Sequence, residues 1–174
     1  MTLTASIILG IDPGSLITGY GLIETTGKTH RYLASGSIQL RGKEMAERLQ
    51  CIYQELTAVI RQYQPIEIAI EQIFMHKNPN SALKLGQARG AAIVAADGIK
   101  VAEYSARQIK QAVVGYGNAE KMQVQHMVRL LLNIKNTLQA DAADALAVAI
   151  CHSHSRLNIG RLQGVRGIRR GRLR

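Results

Sequence analysis

Short apolar runs separated by turn residues occupy the N-terminal part of the chain. The pattern predicts strands over residues 7–12, 16–24 and 30–40, joined by a Pro-Gly-Ser turn and by a Thr-Thr-Gly-Lys turn. Because both connections are only a few residues long, consecutive strands must run in opposite directions. This part of the chain is therefore predicted to form an antiparallel meander of three strands.

The spacing of apolar residues changes after residue 42. Between residues 43 and 63 they recur every three or four positions, which predicts an amphipathic helix. Pro65 ends this helix because proline disfavours the helical conformation in the residue before it. The alternating stretch 66–71 then predicts a fourth strand, and the helix would form the crossover between the first strand and the fourth.

The middle of the chain predicts three further helices and one more strand, the latter over residues 100–104. Each helix follows a side chain that can accept hydrogen bonds from the first free backbone amides. The candidate capping residues are Asn80 or Ser81, Ser105 and Asn118.

The last helix is predicted from Asp141 to about His152, and the arginine- and glycine-rich residues beyond it show little apolar periodicity. We expect one α/β domain over residues 1–155, with helices covering a mixed sheet, followed by a basic, flexible tail over residues 156–174. His152 and His154, near the predicted helix end, are interpreted as partners of the helix dipole rather than as metal ligands.

The charge of the chain favours a polyanionic partner. It carries 22 Lys and Arg against 12 Asp and Glu, a net charge of +10, and seven arginines but no acidic residue follow Asp144. With one Phe and six Tyr, a stacking platform for single strands is not expected. The composition therefore predicts nucleic acid bound mainly through its phosphates.

Membrane and secretory segments are not evident in the sequence. No apolar run approaches the roughly 20 residues that a membrane-spanning helix needs. The N-terminal segment lacks a basic region, and its apolar stretch stops at Asp12, unlike that of a signal peptide. We therefore expect a cytoplasmic protein with no membrane partner.

Two carboxylates follow buried strands. Asp12 ends the first strand and Glu71 ends the fourth. If these strands are parallel neighbours, both side chains emerge at the carboxyl edge of the sheet, where open α/β sheets place their sites. Taken separately, Asp12 could be an ordinary turn residue, because Asp is common before Pro-Gly, and Glu71 could simply face solvent.

Two more carboxylates, Asp141 and Asp144, begin the last helix. Their i, i+3 spacing places both on one helical face, although an N-cap and a dipole partner would be a sufficient explanation for this pair alone. A convergent cluster of four carboxylates would repel itself unless a cation were bound. Mg²⁺ prefers such oxygen ligands, and two Mg²⁺ ions can cleave a phosphodiester.

Several long segments of the chain resemble the RuvC family of Holliday-junction resolvases. They are LGIDPGSLITGYGLI, AIEQIFMHKNPNSALKLGQARGAAIVAA, EYSARQIKQAVVGYGNAEKMQVQHMVR and QADAADALAVAI. The resemblance extends from about residue 7 to about residue 153. The resemblance implies an RNase H-like fold with a five-stranded mixed sheet, three antiparallel strands coming first. It also implies a homodimer that binds four-way DNA junctions and nicks two strands symmetrically, with partners of the RuvA and RuvB branch-migration type.

The resemblance also assigns roles to individual residues. Asp12, Glu71, Asp141 and Asp144 match the family's acidic tetrad, which implies two Mg²⁺ ions in each active site, with Mn²⁺ as a possible substitute. Lys110 and Lys121 match lysines near that site, and Lys121 is expected to be catalytic. Phe74 matches an aromatic residue that stacks on junction bases, and Lys84 and Arg89 could contact DNA on a helix at the dimer interface.

A simpler explanation also exists for each of Phe74, Lys84, Arg89, Lys110 and Lys121. A helical lysine or arginine is commonly a solvated charge, and the single Phe could belong to the core. A cation at the start of a helix, such as Lys121, is nevertheless disfavoured by the helix dipole, and a phosphate partner would explain its position. The small residues around Gly86 and Gly90 could simply allow close packing on the sheet.

Two alternative functions remain open at this point. The DPGSxxTGYG pattern also resembles the phosphate-binding hairpin of actin-like sugar kinases, but these need two such domains and 174 residues cannot supply them. A junction-binding protein without catalysis would be expected to lack a tetrad carboxylate, and none is missing.

Overall fold

A computed structural model describes residues 4–73, 78–163, 168–169 and 172–173. Its principal strands are Ser6–Asp12 (β1), Ile17–Thr26 (β2), Thr29–Gln39 (β3), Glu67–Glu71 (β4) and Val101–Tyr104 (β5). Its helices are Met45–Tyr63 (α1), Pro79–Val94 (α2), Ala106–Val114 (α3), Lys121–Leu131 (α4) and Ala140–Gln163 (α5). Two short strands, Ile168–Arg169 (β6) and Arg172–Leu173 (β7), pair antiparallel with each other.

The five principal strands form one sheet in the order β3-β2-β1-β4-β5. The pairs β1–β2 and β2–β3 are antiparallel, whereas β4 runs parallel to both β1 and β5. This arrangement confirms the predicted meander and the parallel placement of the first and fourth strands. It follows from connection lengths, because a tight turn reverses the chain whereas the α1 crossover returns it in the same direction.

Helices cover both faces of the sheet, and the alternation within β1 shows why. Leu9 and Ile11 point toward the layer formed by α1 and α2, where they are fully buried. Ile8 points to the opposite layer, formed by α3, α4 and α5. Successive side chains of a strand face opposite sides, so Gly10 and Asp12 share the α5 side with Ile8.

Two predicted helix starts were wrong by a few residues. The side chain of Asn78, not of Asn80 or Ser81, caps α2 by accepting hydrogen bonds from the backbone amides of both, and Pro79 occupies the first helical position. Glu120 rather than Asn118 caps α4, in a reciprocal capping box with Gln123. The prediction for Ser105 is confirmed by its own capping box at the start of α3.

The predicted end of the last helix near His152 was also wrong, because α5 continues to Gln163. The boundary proposed at residue 155 therefore falls inside a helix, and the flexibility of the residues beyond it stays a prediction. His152 does not interact with a helix end. It is buried, and it is bonded through Nδ1 to the Tyr104 hydroxyl at 2.8 Å and through Nε2 to Glu67.

Glu67, the first residue of β4, belongs to a polar cluster. Arg156 donates to its Oε1 at 2.9 Å, and His152 bonds its Oε2. Burial opposes ionisation of this carboxyl, but the two hydrogen bonds outweigh it and lower the pKa of Glu67. The cluster joins the second half of α5 to the beginning of β4, at the opposite end of that strand from Glu71.

Among the described helices, none is both long enough and apolar enough to cross a membrane.

Candidate active site

Asp12 and Glu71 come together where adjacent parallel strands end. Ile11 of β1 is paired with Ile70 of β4, so the next residue of each strand is a carboxylate at the same edge of the sheet. Both side chains line one cavity of about 340 Å³. The cavity lining consists of Asp12, Glu71, Ala106, Ile109, Lys110, Lys121, Val124, Asp144 and Ala147.

The start of α5 supplies the other two carboxylates. Asp144 lines the same cavity, and Asp141 lies one turn earlier, close enough for its charge to act on Asp12. Both side chains are partly buried. The structure therefore brings together the four carboxylates that the sequence singled out, two from strand ends and two from one helix.

Three strand glycines allow α5 to lie this close to the sheet. A Cβ added at Gly19 would overlap the carbonyl oxygen of Asp141, and Gly19 is itself paired with Asp12 across the β1–β2 ladder. Similar overlaps with α5 would arise at Gly10 and Gly21. Sequence reasoning missed these residues, although glycine inside a strand is a recognised sign of close approach by another backbone.

The negative charges of the clustered carboxylates are balanced only in part by nearby lysines. Burial, followed by repulsion from Glu71 and from Asp144, raises the pKa of Asp12 to about 7, and attraction to Lys121 offsets this in part. Burial and the charge of Asp144 likewise raise the pKa of Glu71, while Lys110 and Lys121 oppose the rise. The site therefore holds more negative charge than its surroundings stabilise.

Lys121 takes part in this site, although its side chain is 60% exposed. Its Nζ lies 2.6 Å from Oδ2 of Asp144, and this hydrogen bond is the main cause that raises the pKa of Lys121. Lys121 is the first residue of α4, where a cation is disfavoured by the helix dipole. The ion pair with Asp144 accounts for that placement.

The donor set suits hard divalent cations such as Mg²⁺, because it consists of carboxylate oxygens. Within the described residues, no group of three or more acidic, histidine or cysteine side chains is arranged to hold a metal ion by itself, and the Lys121 ammonium lies against Asp144. Mg²⁺ does not need a closed protein cage, since it is commonly held by one or two carboxylates together with water and substrate phosphates. The unbalanced negative charge around Asp12 fits such a cation.

The remaining predicted residues lie elsewhere or are engaged differently. Phe74 lies outside the described residues. Lys84 is exposed on α2. Arg89, also on α2, is mostly buried and forms an ion pair with Glu103 of β5 at 2.6 Å, so its guanidinium already has an anionic partner.

We expect the metal-free protein to lose stability as the pH rises, because of Asp12. Its pKa is 3.8 when unperturbed and about 7 in the folded protein, so the unfolded chain loses this proton first. Above pH 7, ionisation of this buried carboxyl lowers the free energy of unfolding by roughly 4 kcal/mol, and below pH 4 this loss is absent. In urea unfolding with EDTA, Asp12→Asn should exceed wild type in stability at pH 8, and the difference should shrink toward pH 4. A constant difference from pH 5 to pH 8 would contradict this assignment.

A family model described as "Crossover junction endodeoxyribonuclease RuvC" matches residues 8–152. The match covers most of the chain and includes Asp12, Glu71, Asp141 and Asp144. The chain belongs to the RuvC family. Membership excludes the sugar kinase alternative, and it implies dependence on a divalent metal.

RuvC proteins are similar to this chain over almost its whole length. Those of Pseudoalteromonas atlantica and Idiomarina loihiensis are 62% and 60% identical to it, each over 97% of this chain and 99% of the relative. The structure of T. thermophilus RuvC in complex with Holliday junction substrate matches with a TM-score of 0.82 at 33% identity, covering 88% of this chain and 96% of that one. The expected RNase H-like fold is thereby confirmed.

Proposed function

We propose that this protein is a structure-selective endodeoxyribonuclease that resolves Holliday junctions in recombination and repair. The observation that carries the proposal is the convergence of Asp12, Glu71 and Asp144 with Lys110 and Lys121 around one cavity. RuvC relatives are named crossover junction endodeoxyribonucleases, and T. thermophilus RuvC has been solved with a Holliday junction substrate. The net charge of +10 suits a DNA partner.

Two Mg²⁺ ions in each site are part of this proposal, with Mn²⁺ as a substitute. Asp12, Glu71, Asp141 and Asp144 would hold them, since all four present oxygen ligands at one edge of the sheet. The chemistry that the bound cations supply there is activation of the attacking water and neutralisation of charge on the phosphate and the leaving oxygen.

The side chains of the chain itself orient and stabilise the reacting phosphate. Lys110 and Lys121 line the same cavity as the carboxylates, so their ammonium groups can contact phosphate oxygens and stabilise the extra negative charge of the transition state. Binding of a phosphate gives Lys121 a second anionic partner besides Asp144. Attack of water on the phosphorus and loss of the 3′ oxygen leave a 5′-phosphate and a 3′-hydroxyl.

A substrate comparison tests this function. The protein is given a mobile four-way junction and a linear duplex of the same sequence, each with Mg²⁺ and each with EDTA. In Mg²⁺ we expect paired nicks at symmetric positions of the junction, and these nicks should be ligatable without end repair. We expect no cutting of the duplex, and no cutting of either substrate in EDTA. Equal cutting of junction and duplex would contradict the proposal.

The exposed face of α2 supports a homodimer. Leu83 and Val94 are 63% and 67% exposed, and Gly86 and Gly90 lie between them on the same side of the helix. A Cβ added at either glycine would meet nothing within 4 Å, so packing on the protein's own sheet does not require them. Apolar side chains beside glycines suit close approach of a second α2, and a two-fold axis would give the two sites needed for symmetric nicks.

We expect Gly90→Arg to weaken the dimer without unfolding the subunit. Arginine favours a helix more than glycine does, and the position has open space around it. A charge in the centre of the interface should raise the dissociation constant of the dimer roughly thirtyfold or more, measured by analytical ultracentrifugation. Gln111→Arg adds the same charge to an exposed position on α3 and should leave the dimer intact. A dimer of unchanged affinity in Gly90→Arg would contradict the use of this face.

Other contacts belong to the same proposal. Phe74 would stack on unpaired junction bases, and Lys84 would contact the DNA backbone. Arg89 could do so only by leaving Glu103, its present partner. Proteins of the RuvA and RuvB type would bring the junction to this enzyme in the cytoplasm.

A further inference from the structure

Arg107 is a neighbour in α3 of residues that line the active-site cavity, and it has no role so far. It is exposed in the first turn of α3, directly after Ala106, which lines the cavity. An α-helix advances 100° per residue, so Arg107 lies about 60° around α3 from Lys110. Its side chain therefore emerges beside the lysine that faces the carboxylates, on the outer edge of the same helical face.

The structure holds the Arg107 stem against the loop between α3 and α4. A Cβ built on Gly117 would lie 2.5 Å from Cγ of Arg107, 3.1 Å from its Nε and 3.3 Å from its Cδ. The backbone of Gly117 is not in the left-handed region that favours glycine. The Arg107 stem thus fills the space that any other residue at position 117 would need, and the loop that it crosses leads directly to Lys121.

The charge of Arg107 is not explained by contacts within the protein. Among the side chains that the structure describes, no carboxylate lies within ion-pair distance of it, whereas Arg31, Arg89 and Arg156 each have an acidic partner. The first turn of α3 contains no acidic residue, and a cation there does not stabilise the helix. Packing holds the guanidinium of Arg107 in place, but the described side chains supply no anion to it. The position therefore suits an anion of a bound ligand.

We propose that Arg107 binds a phosphate of the cleaved strand, next to the phosphate held between the carboxylates and the two lysines. This inference rests on the proposed nuclease function and adds a residue to it. The planar guanidinium can donate two parallel hydrogen bonds to phosphate oxygens, which an ammonium cannot do. Gly117 is then a positioning residue, because it leaves room for the arginine stem over the loop.

The test separates the charge of Arg107 from its position. Affinity for a four-way junction is measured by fluorescence anisotropy without Mg²⁺ at several salt concentrations, for wild type, Arg107→Gln, Arg107→Lys and Gly117→Ala. Arg61→Gln is the matched control, because Arg61 is exposed on α1 in the opposite layer and its loss changes the net charge equally. Thermal unfolding of each variant verifies that the fold is retained.

We expect Arg107→Gln to weaken junction binding roughly tenfold and to lower the slope of log affinity against log salt by about one. Arg107→Lys should restore that slope but only part of the affinity. Gly117→Ala keeps every charge, yet it should weaken binding several-fold, because the added methyl displaces the stem. The inference is overturned if Arg107→Gln binds like Arg61→Gln, or if Gly117→Ala binds like wild type. Failure of wild type itself to bind junctions would overturn the proposed function as well.

Discussion

Asp12→Asn should abolish junction cleavage while leaving the fold and junction binding intact. Asp12 lies at the centre of the carboxylate cluster, where the charges of Glu71, Asp141 and Asp144 all act on it. An amide keeps the size of the side chain but removes the negative charge that attracts a divalent cation. Metal-supplied stabilisation amounts to several kcal/mol, so we expect the single-turnover cleavage rate to fall on the order of a thousandfold or more.

Asp97→Asn is the matched control for this substitution. Asp97 is exposed in the turn after α2 and has a φ of 45°, a conformation that asparagine also tolerates. This variant should cleave the junction at the wild-type rate. Junction binding by Asp12→Asn, measured without divalent cations, should be at least as tight as that of wild type because one negative charge has been removed near the phosphates. Cleavage by Asp12→Asn within tenfold of wild type would contradict the assignment of the site.

Gly10→Ala should strongly destabilise the protein and disturb the active site. The added methyl would overlap the carbonyl oxygen of Ala145 and lie 2.7 Å from the amide nitrogen of Ala149. Both atoms belong to the backbone of α5, so the helix itself must move away from the sheet. We expect a loss of about 3 kcal/mol or more in the free energy of unfolding, measured in urea, and reduced cleavage because α5 also carries two of the carboxylates.

Gly36→Ala is the control for the change at Gly10. Gly36 also lies within a strand, but the atoms that a methyl would meet belong to the ring and hydroxyl of Tyr20, the hydroxyl at 2.6 Å. That side chain is only partly buried and can rotate away, so a loss below about 1 kcal/mol is expected. If Gly10→Ala and Gly36→Ala lower the free energy of unfolding equally, the close approach of α5 is not the reason that position 10 needs a glycine.

The elements of the fold were predictable because their signals are local. The two-residue alternation of 66–71 and the three- to four-residue spacing of 43–63 report which face each segment buries, whatever surrounds it. The errors were at element ends. Glu120, not Asn118, caps α4, because several polar residues near a helix start can accept the same hydrogen bonds. The extension of α5 beyond His152 has no such local signal, and a contact within it joins Arg156 to Glu67 on a distant strand.

The sequence by itself determined the order of strands and helices, and it placed Asp12 and Glu71 at the ends of two strands that the crossover helix was expected to make parallel. Those conclusions need only backbone geometry and the length of a crossover. Tertiary structure alone decided how closely α5 approaches the sheet, that Lys121 pairs with Asp144, and that the stem of Arg107 lies on Gly117. Such contacts join residues far apart in the chain, and they depend on the distance and rotation at which two elements pack. Local periodicity carries no information about either quantity.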